Sequence, residues 1–594
     1  MKIDELGEIE MDFIPLSDDA ESLASKAMIS FEERSAYLLD KQIQKDLSKD
    51  LYGGMAIANL SKAMYVEASN QSLVRSAEWF EHPHPYGRDP QGESDFAAIK
   101  LIRALYQFED TGLLQVATIS TIRNFYMSHN FESKYKSENH MLLFHTSRYL
   151  AAQKYPQECF KAYGKKGGEL LEEEGKLLRE YLVFRAKRGW AEFDSSSYMP
   201  EVMECLLCLY DFASDLELVK LAEMMLDLLL LDMVCDSLDG LYGGAHGRIY
   251  AQVALDHARS GTFPLYYLYF GHGYRGEIQG PCLIAAICSG YRPRKQIYEI
   301  ALGRTQPYVH QESKHLHCIT CETPHKKLPQ EEGSINKYTY FTPRYIIGAV
   351  NFQDSYRLGS EAGWYAHHQQ HQWDLSLVED TTLKIFSHHP GHQGTEGSEH
   401  GYWTGDLGCG CGHFFGEKNV VLTMYQIPQG QELHWIHVHV PRVAFDEVEE
   451  EGNYLFLRKS EVYISLFIHN GYDWTEDGEY ARREIRSQGR CNAVICEVGD
   501  DMSIPDFATF RRTILQNRVV FDPVNMQLSY RSSSVGELSM DKSKRTVNGE
   551  KVTFPYPTYN GPYMFSAFNS GIIEVRSNEK KSTYDFNQIT DRQE

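Results

Sequence analysis

Two short polar segments carry the residue types that proton chemistry needs. The first contains the adjacent pair Asn139 and His140, and the second, residues 188–198, begins with Arg188 and ends with Tyr198. An amide and a guanidinium group can bind a carboxylate, while an imidazole and a phenol can take up and release protons. Together these residue types suit removal of a proton next to a carboxylate, followed by expulsion of a sugar oxygen.

Each segment also has an ordinary structural interpretation. Ser137 or Asn139 can cap a helix, which would leave His140 without a chemical role. Tyr198 precedes Pro200, a residue typical of the first turn of a helix, and can serve as a packing aromatic at that helix start. The two segments are informative chiefly in combination.

The composition limits the class of protein. A chain of 594 residues exceeds one ordinary core and predicts two to four domains. The formal net charge of −23 argues against nucleic-acid binding, which needs a broad basic surface. It still permits an anionic substrate, because a cleft can be locally basic on an acidic protein. The 38 tyrosines and 29 phenylalanines fit both a large core and sugar-stacking surfaces.

Targeting and redox signals predict a cytoplasmic protein. The first residues are acidic and lack the apolar segment of a secretory signal. The longest apolar run, residues 226–234, is interrupted by Asp227 and Asp232 and is too short to span a bilayer. Twelve scattered cysteines without a signal favour reduced thiols over a disulfide framework. Homo-oligomerisation stays open.

Periodicity divides the chain into a helical half and a β half. Apolar residues follow helical spacing at 99–106 and 202–210, within a first domain placed at residues 1–315. Residues 316–336 are polar and aperiodic, which predicts a linker. Residues 337–594 contain short apolar or alternating runs at 419–427, 433–440, 461–468 and 493–498. Segregated helices and strands predict an α+β multidomain protein with an antiparallel β-sheet or sandwich domain, and exclude Rossmann and TIM-barrel organisation.

The Asn139-His140 pair, followed by Tyr198 in a helical half that precedes an all-β half, resembles the toroid-plus-β-sheet polysaccharide lyases. These are the heparinase II/III-like enzymes and the related alginate and oligoalginate lyases. The resemblance implies an N-terminal (α/α)-toroid, an incomplete barrel of helical hairpins. It also implies that Asn139 and His140 contact a uronate carboxylate, that Tyr198 carries the proton, and that Arg188 assists. It covers the two-domain layout, although its local motifs are short.

Further candidates for substrate binding lie outside the two segments. Residues 239–250 form a glycine-rich stretch that resembles the cleft-lining loop of such lyases, and an ordinary helix-connecting turn would look the same. From the β half, side chains can overhang the cleft. The substrate-binding candidates are Trp190, His246, Arg248, Tyr250, Tyr345 and His371.

A histidine-rich segment suggests a structural metal in the β-domain. His388, His389 and His392 lie close together in the sequence, and Asp406 with His437 or His439 could complete a zinc site, as in some heparinase-like proteins. With 24 histidines, chance clusters are also expected. Cys318/Cys321 and Cys409/Cys411 have no second matching pair.

The residues favour β-elimination on an anionic, uronic-acid-containing oligosaccharide or polysaccharide, without a cofactor in the catalytic step. Tyr198 would donate the proton to the leaving oxygen and, in a syn elimination, also act as the base, whereas His140 would be the base in an anti elimination. Two alternatives stay open. One is a glycoside hydrolase on the same helical scaffold, with Glu138 and either Glu192 or Asp194 as paired carboxylates. The other is a carbohydrate-binding protein without activity.

Overall fold

The computed structural model describes residues 10–78, 93–129, 137–273, 282–315, 334–353, 370–390, 402–403 and 411–593. In this part of the chain, helices fill the first half and antiparallel strands the second, so the predicted fold class is confirmed. Among the described helices, none is long and apolar enough to cross a membrane.

The helical domain contains fourteen α-helices within the described residues. They are α1 (Ala20–Ile29), α2 (Phe31–Gln42), α3 (Gly54–Ser61), α4 (Val66–Glu78), α5 (Ser94–Phe108), α6 (Val116–Ser128), α7 (Glu138–Lys154), α8 (Gly167–Arg188), α9 (Met199–Phe212), α10 (Leu216–Cys235), α11 (Ala251–Leu255), α12 (Thr262–Phe270), α13 (Cys282–Cys288) and α14 (Lys295–Gly303). Helix α7 packs against α5, α8 and α9, while α10 packs against α8, α9 and α14, and α14 returns to α1. This ring of neighbouring helices is the predicted toroid.

Local sequence explains where the helices of the central group begin. Asp215 caps α10, because its carboxylate accepts hydrogen bonds from the amides of Glu217 and Leu218. Pro200 lies in the first turn of α9, where the missing amide hydrogen costs nothing. Helix α7 is buried along nearly its whole length, including its polar first turn, so it forms the centre of the domain.

Five short strands accompany the helices: β1 (Cys159–Phe160), β2 (Lys165–Lys166), β3 (Ser237–Leu238), β4 (Leu241–Tyr242) and β5 (His246–Arg248). The β-domain contains β6 (Tyr308–His315), β7 (Ser334–Phe341), β8 (Tyr345–Gln353), β9 (Gln370–His371), β10 (Trp373–Leu377), β11 (Lys384–His388), β12 (Gly412–Glu417), β13 (Val420–Gln426), β14 (Trp435–His439), β15 (Glu447–Glu451), β16 (Tyr454–Lys459), β17 (Val462–Ile468), β18 (Asp473–Trp474), β19 (Glu484–Gln488), β20 (Cys491–Asp500), α15 (Phe507–Gln516), β21 (Arg518–Asp522), β22 (Gln527–Ser532), β23 (Gly536–Met540), β24 (Arg545–Val547), β25 (Glu550–Lys551), β26 (Tyr559–Asn560), β27 (Met564–Ser566), β28 (Ile572–Ser577), β29 (Lys580–Asp585) and β30 (Thr590–Gln593). The four strand segments expected from alternation correspond to β13, β14, β17 and β20.

Three antiparallel sheets make up most of the β-domain in the described residues. The largest has thirteen strands in the order β18-β19-β14-β11-β10-β8-β7-β6-β26-β27-β28-β29-β30. A second has the order β12-β13-β20-β17-β16-β15, and a third runs from β21 to β25. Apolar side chains of the first two sheets form a shared core that includes Trp373, Ile385 and Val494.

The β-domain begins earlier than the sequence predicts. Strand β6 lies inside the range expected for the helical domain, and residues 334–336 of the expected linker start β7. The rest of that linker, residues 316–333, lies outside the described residues. Strand β6 escaped recognition because its inward positions are polar: His310, Glu312 and Lys314 are all buried.

These polar side chains belong to a buried charge cluster between the two domains, which contains Asp194, Asp232, Asp236, Glu312, Lys314, Lys337 and His310. The Lys337 ammonium lies 2.5 Å from an Asp194 oxygen and 3.2 Å from a Glu312 oxygen. The Lys314 ammonium lies 3.3 Å from Asp194 and 2.8 Å from Glu312. Both lysines come from the β-domain, and three of the carboxylates come from the helical domain.

The protonation of this cluster follows from its charges. Burial alone would lower the pKa of Lys337, but the surrounding carboxylates outweigh it and raise that pKa well above its usual range. Burial and the charge of Glu312 raise the pKa of Asp232 well above its usual value. Asp232 is therefore the carboxyl group best suited to hold a proton. With that proton in place, the negative charges of the other carboxylates and the positive charges of the two lysines largely balance.

We predict that Lys337→Met will lower the stability of the protein by roughly 3–5 kcal/mol, because it leaves buried carboxylates without their cation. The measurement is the urea midpoint of the main unfolding transition. The matched control is Lys165→Met, which removes a lysine whose ion pair with Glu173 is exposed and should cost at most about 0.5 kcal/mol. Equal effects of the two substitutions would contradict the assigned role of the cluster.

Candidate active site

The segment that joins α8 to α9 lies at the centre of the candidate site. Helix α8 ends at Gly189, whose φ of +63° favours glycine, and a side chain there would also collide with Lys314. Beyond it, the carboxylate of Glu138 accepts hydrogen bonds from the amide of Ala191 at 2.5 and 3.0 Å and from the amide of Glu192 at 3.3 Å. The start of α7 therefore holds the segment from one side.

The β5 strand holds the same segment from the other side. Gly247 passes so close that an added Cβ would lie 2.6 Å from the Phe193 nitrogen, so only glycine fits there. The Gly247 amide donates to the Phe193 carbonyl at 2.6 Å, and the Ser195 hydroxyl donates to the Arg248 carbonyl. The same hydroxyl accepts from the Tyr198 amide at 3.0 Å, which fixes the residue that precedes α9.

Asn139 and Arg248 converge on one carboxylate. The Asn139 amide nitrogen donates to Glu192 Oε2 at 2.7 Å, and Arg248 Nη1 lies 3.4 Å from Glu192 Oε1. Asn139 is fully buried, and its amide nitrogen also contacts the Ser137 hydroxyl at 3.0 Å. Ser137 thus positions the amide, whose partner in this structure is a carboxylate of the protein itself.

Tyr198 lies next to this pair. The Arg248 guanidinium carbon is 4.2 Å from the centroid of the Tyr198 ring, and the Tyr198 hydroxyl is hydrogen-bonded to that of Tyr250. Burial raises the pKa of Tyr198 well above its usual value, Arg248 opposes the rise, and Tyr250 and Glu192 add to it. Tyr198 is therefore protonated at neutral pH, which suits a proton donor.

His140 faces a different neighbour from Asn139. Its Nδ1 lies 2.5 Å from Asp95 Oδ2 on α5, and its ring packs on Phe96 at a centroid distance of 5.2 Å. With the Nδ1 proton shared with Asp95, the lone pair of a neutral ring lies on Nε2, as in a histidine oriented to act as a base. Successive helix positions point about 100° apart, which explains why the adjacent residues diverge.

Arg188, the predicted cation, lies over the ring of Phe568 in the β-domain, with its guanidinium carbon 4.6 Å from the centroid. Arg248 contacts the carboxylate of Glu192, and Arg185 lies 2.9 Å from that of Glu138. Trp190 packs against Tyr181 and, with Tyr198 and Glu192, lines a cavity of about 20 Å³. That cavity has room for about one water molecule and none for a sugar ring.

The two substrate-binding candidates from the β half, His371 and Tyr345, lie at different places in the structure. His371 is the register partner of His246 across β5 and β9, and their rings are stacked at 6.1 Å, so a strand from each domain joins beside the site. His246 donates its Nδ1 proton to the Asp194 carbonyl at 2.8 Å, and burial lowers its pKa to about 3. Tyr345 instead lines a separate cavity of about 790 Å³ within the β-domain, together with Tyr340 and Glu497.

The histidines proposed for a metal are partly described. His388 and His437 are register partners on β11 and β14, and His388 Nδ1, His437 Nε2 and His439 Nε2 are buried without a hydrogen-bond partner in the described part of the chain. Glu484 lies 2.8 Å from His437 Nδ1, an arrangement that orients zinc-binding histidines. His392 and Asp406 lie outside the described residues.

The donor types therefore fit zinc, and the zinc site stays a prediction. Among the described residues, the groups whose ligand atoms lie within 4.8 Å of one another are Asp236/His310/Glu312 and Asp194/Asp232/Asp236/Glu312. Both belong to the buried charge cluster, where Lys314 and Lys337 supply the positive charge.

Several residues of the site had no signal in the sequence. Asp95, Arg185 and Lys314 lie at ordinary positions of helices or of a polar strand, and only the fold brings them to the site. Arg248 and Tyr250 carry a sequence signal because they follow a glycine-rich stretch, in which Gly247 allows close approach to residues 192–193. Glu192 was considered only as a carboxylate for hydrolysis.

No protein-family model matches the chain, and no curated protein matches it. Among solved structures, a chondroitin AC lyase of Streptomyces coelicolor A3 in complex with chondroitin sulphate is similar, with a TM-score of 0.40 and 11% identity over 96% of this chain and 90% of that chain. Heparinase III is similar with a TM-score of 0.37 and 10% identity over 85% of this chain and 81% of that chain. Similarity at this level concerns overall architecture and assigns no residue a role.

We predict a pH-dependent contribution of Glu138 to stability. Burial raises its pKa from 4.5 to about 7, Arg185 opposes the rise, and Glu192 adds to it. Because the folded-state pKa is the higher one, its stabilising contribution is complete below pH 4.5 and is lost as the pH rises towards 7. The difference in unfolding free energy between the wild type and Glu138→Gln should decline across this window and then level off. A difference that does not change with pH would contradict the prediction.

Proposed function

We propose that this protein is a lyase that cleaves uronic-acid-containing oligosaccharides or polysaccharides by β-elimination. One observation supports this above all: Asn139 and Arg248 hold a carboxylate beside the buried phenol of Tyr198. In the reaction, the carboxylate so held would be that of the uronate. The formal net charge of −23 does not exclude such a ligand, because Asn139 and Arg248 present donors to a carboxylate locally.

The carboxylate must be neutralised before its neighbouring proton can leave. The proton on C5 of a uronate is barely acidic, because the charge that develops on its removal adds to an ionised C6 carboxylate. Hydrogen bonds from Asn139 and Arg248 would stabilise that developing charge. Preorganised donors of this kind contribute roughly 3–4 kcal/mol each where a single one has been removed.

The proton then has two possible acceptors. In an anti elimination, His140, oriented by Asp95, removes the C5 proton while Tyr198 protonates the glycosidic oxygen leaving C4. In a syn elimination, Tyr198 enters the reaction as a phenolate, which Arg248 over its ring stabilises, takes the C5 proton and then passes it to the leaving oxygen. In each case the C5–H and C4–O bonds break, and a C4=C5 double bond forms.

A hydrolase with paired carboxylates is the alternative. The pKa of Glu138, about 7, is in the range of a general acid, and Glu192 is its neighbour. However, backbone amides and Arg185 already bind both oxygens of Glu138, which fixes it as a structural anchor. The products separate the two functions, since hydrolysis leaves a saturated sugar and elimination leaves a conjugated alkene.

We predict that Tyr198→Phe will lower turnover by about 10²–10⁴-fold, because the ring stays and the transferable proton is lost. The measurement is ultraviolet absorbance of the alkene with alginate, glucuronan, hyaluronan, chondroitin, heparan and pectic substrates. Tyr530→Phe is the control, since it removes a buried hydroxyl in the β-domain that binds Glu497. Near-normal turnover in Tyr198→Phe would exclude the proposed proton donor.

We further predict that Asn139→Ala will lower kcat/KM by about 10²–10³-fold, mainly through kcat, because its hydrogen bond strengthens as charge develops. Steady-state kinetics on the best substrate of the panel measures the effect. Asn351→Ala is the control for loss of a buried amide, since Asn351 bonds Gly416 and Tyr556 in the β-domain. A rise in KM alone would show that Asn139 binds the ground state only.

A further inference from the structure

The carboxylate of Glu192 occupies the place that the proposed reaction assigns to the substrate. Its Oε2 accepts a hydrogen bond from the Asn139 amide nitrogen at 2.7 Å, and its Oε1 lies 3.4 Å from Arg248 Nη1. The Glu192 side chain is 4% exposed. Substrate could not reach the same two donors while an ionised Glu192 stays there, because two carboxylates in contact repel each other.

We infer that Glu192 is a specificity-determining residue that holds the carboxylate subsite in the absence of substrate and exchanges with the uronate carboxylate on binding. The inference rests on the proposed function and deepens it. It identifies the ligand class of the subsite as an anionic carboxylate with two oxygens, one directed to an amide and one to a guanidinium group.

The backbone around Glu192 supports exchange by the side chain alone. Its amide is bound to Glu138, and the neighbouring Phe193 carbonyl accepts from Gly247, so the main chain is fixed on both sides. The glutamate side chain retains three rotatable bonds and can turn from Asn139 without unfolding the segment. The cavity of about 20 Å³ beside Glu192 has no room for a sugar ring, so binding of the uronate also requires neighbouring side chains to move aside.

Charge balance predicts how exchange depends on pH. Several ionisable groups surround Glu192: Glu138 with its partner Arg185, Arg248, Tyr198, and Asp194, Asp232 and Lys314 along the shared cavity. Adding a uronate to a pocket that already holds Glu138 and Glu192 favours uptake of one proton from solvent. Binding of an acidic sugar should therefore weaken as the pH rises, while binding of a neutral sugar should not.

Glu192 also bears on the proton donor. The negative charge of Glu192 raises the pKa of Tyr198, although burial and Tyr250 raise it more. When Glu192 turns away and a uronate replaces it, one negative charge is exchanged for another near the phenol. Removing the charge of Glu192 should thus move the basic limb of the kcat/KM profile, which reports the free enzyme, to lower pH, an effect that simple loss of packing would not produce.

The test compares wild type, Glu192→Gln and Glu192→Ala by titration calorimetry. The probes are trisaccharides of mannuronate and of glucuronate, each beside its carboxyl-reduced, neutral counterpart. We expect both variants to bind at least one acidic trisaccharide about tenfold more tightly at about pH 8, with no gain for the neutral counterpart. Wild type should take up about one proton on binding, seen by using buffers of different ionisation heat, and the variants should take up less.

The outcomes separate the inference from the proposed function. Unchanged or weaker binding of the acidic trisaccharides by both variants, or an equal gain for the neutral ones, would overturn the role of Glu192 even if wild type forms the alkene. Loss of turnover in Glu192→Gln, with saturated reducing ends released by the wild type, would instead overturn the lyase and favour hydrolysis. Thermal unfolding of each variant confirms that it is folded.

Discussion

The contact between two lysines of the β-domain and the carboxylates of the helical domain is the constraint on which the rest of the structure depends. Lys314 and Lys337 are fully buried, and without Asp194, Asp232, Asp236 and Glu312 their ammonium groups would have no compensation in the interior. Burying charges is unfavourable unless the geometry pairs them, so the cluster forms only when the two domains meet in one arrangement. A hydrophobic interface of equal size would tolerate sliding, whereas this one specifies position.

That constraint extends directly into the candidate site. Asp194, which contacts both lysines, has a φ of +49° and stands two residues after Glu192 and four before Tyr198. The segment is thus held by the β-domain at Asp194, by α7 through Glu138, and by β5 through Gly247. Three independent attachments leave the side chains of Glu192 and Tyr198 as its adjustable parts. Preorganisation of this kind lets donors stabilise developing charge without first being rearranged.

The sequence allowed prediction of the fold class and of the residues whose identity is unusual for their surroundings. Asn139 and Tyr198 stand out in the sequence, the first in a polar pair at the start of an apolar helix and the second in a serine-rich segment. The resemblance implies that Arg188 assists, and in the structure the turn after α8 directs Arg188 to Phe568, whereas β5 brings Arg248 to Tyr198. Strand β6 lies in the range predicted for the helical domain, because its buried charged residues hide the apolar alternation of a strand. Pairings that arise only from tertiary contact leave no periodic signal.

The position of Glu192 explains how an acidic protein can prepare a site for an anionic ligand. Without Glu192, the Asn139 amide and the Arg248 guanidinium would each lose a carboxylate partner in the interior, which is costly in a folded protein. Glu192 satisfies both while no ligand is present, and the burial of Tyr198 keeps its proton in place. A ligand with a carboxylate can take over these bonds one for one, whereas a neutral sugar would leave them broken. The same contact that stabilises the empty site therefore also discriminates between ligands, and selectivity follows from the exchange of one carboxylate for another.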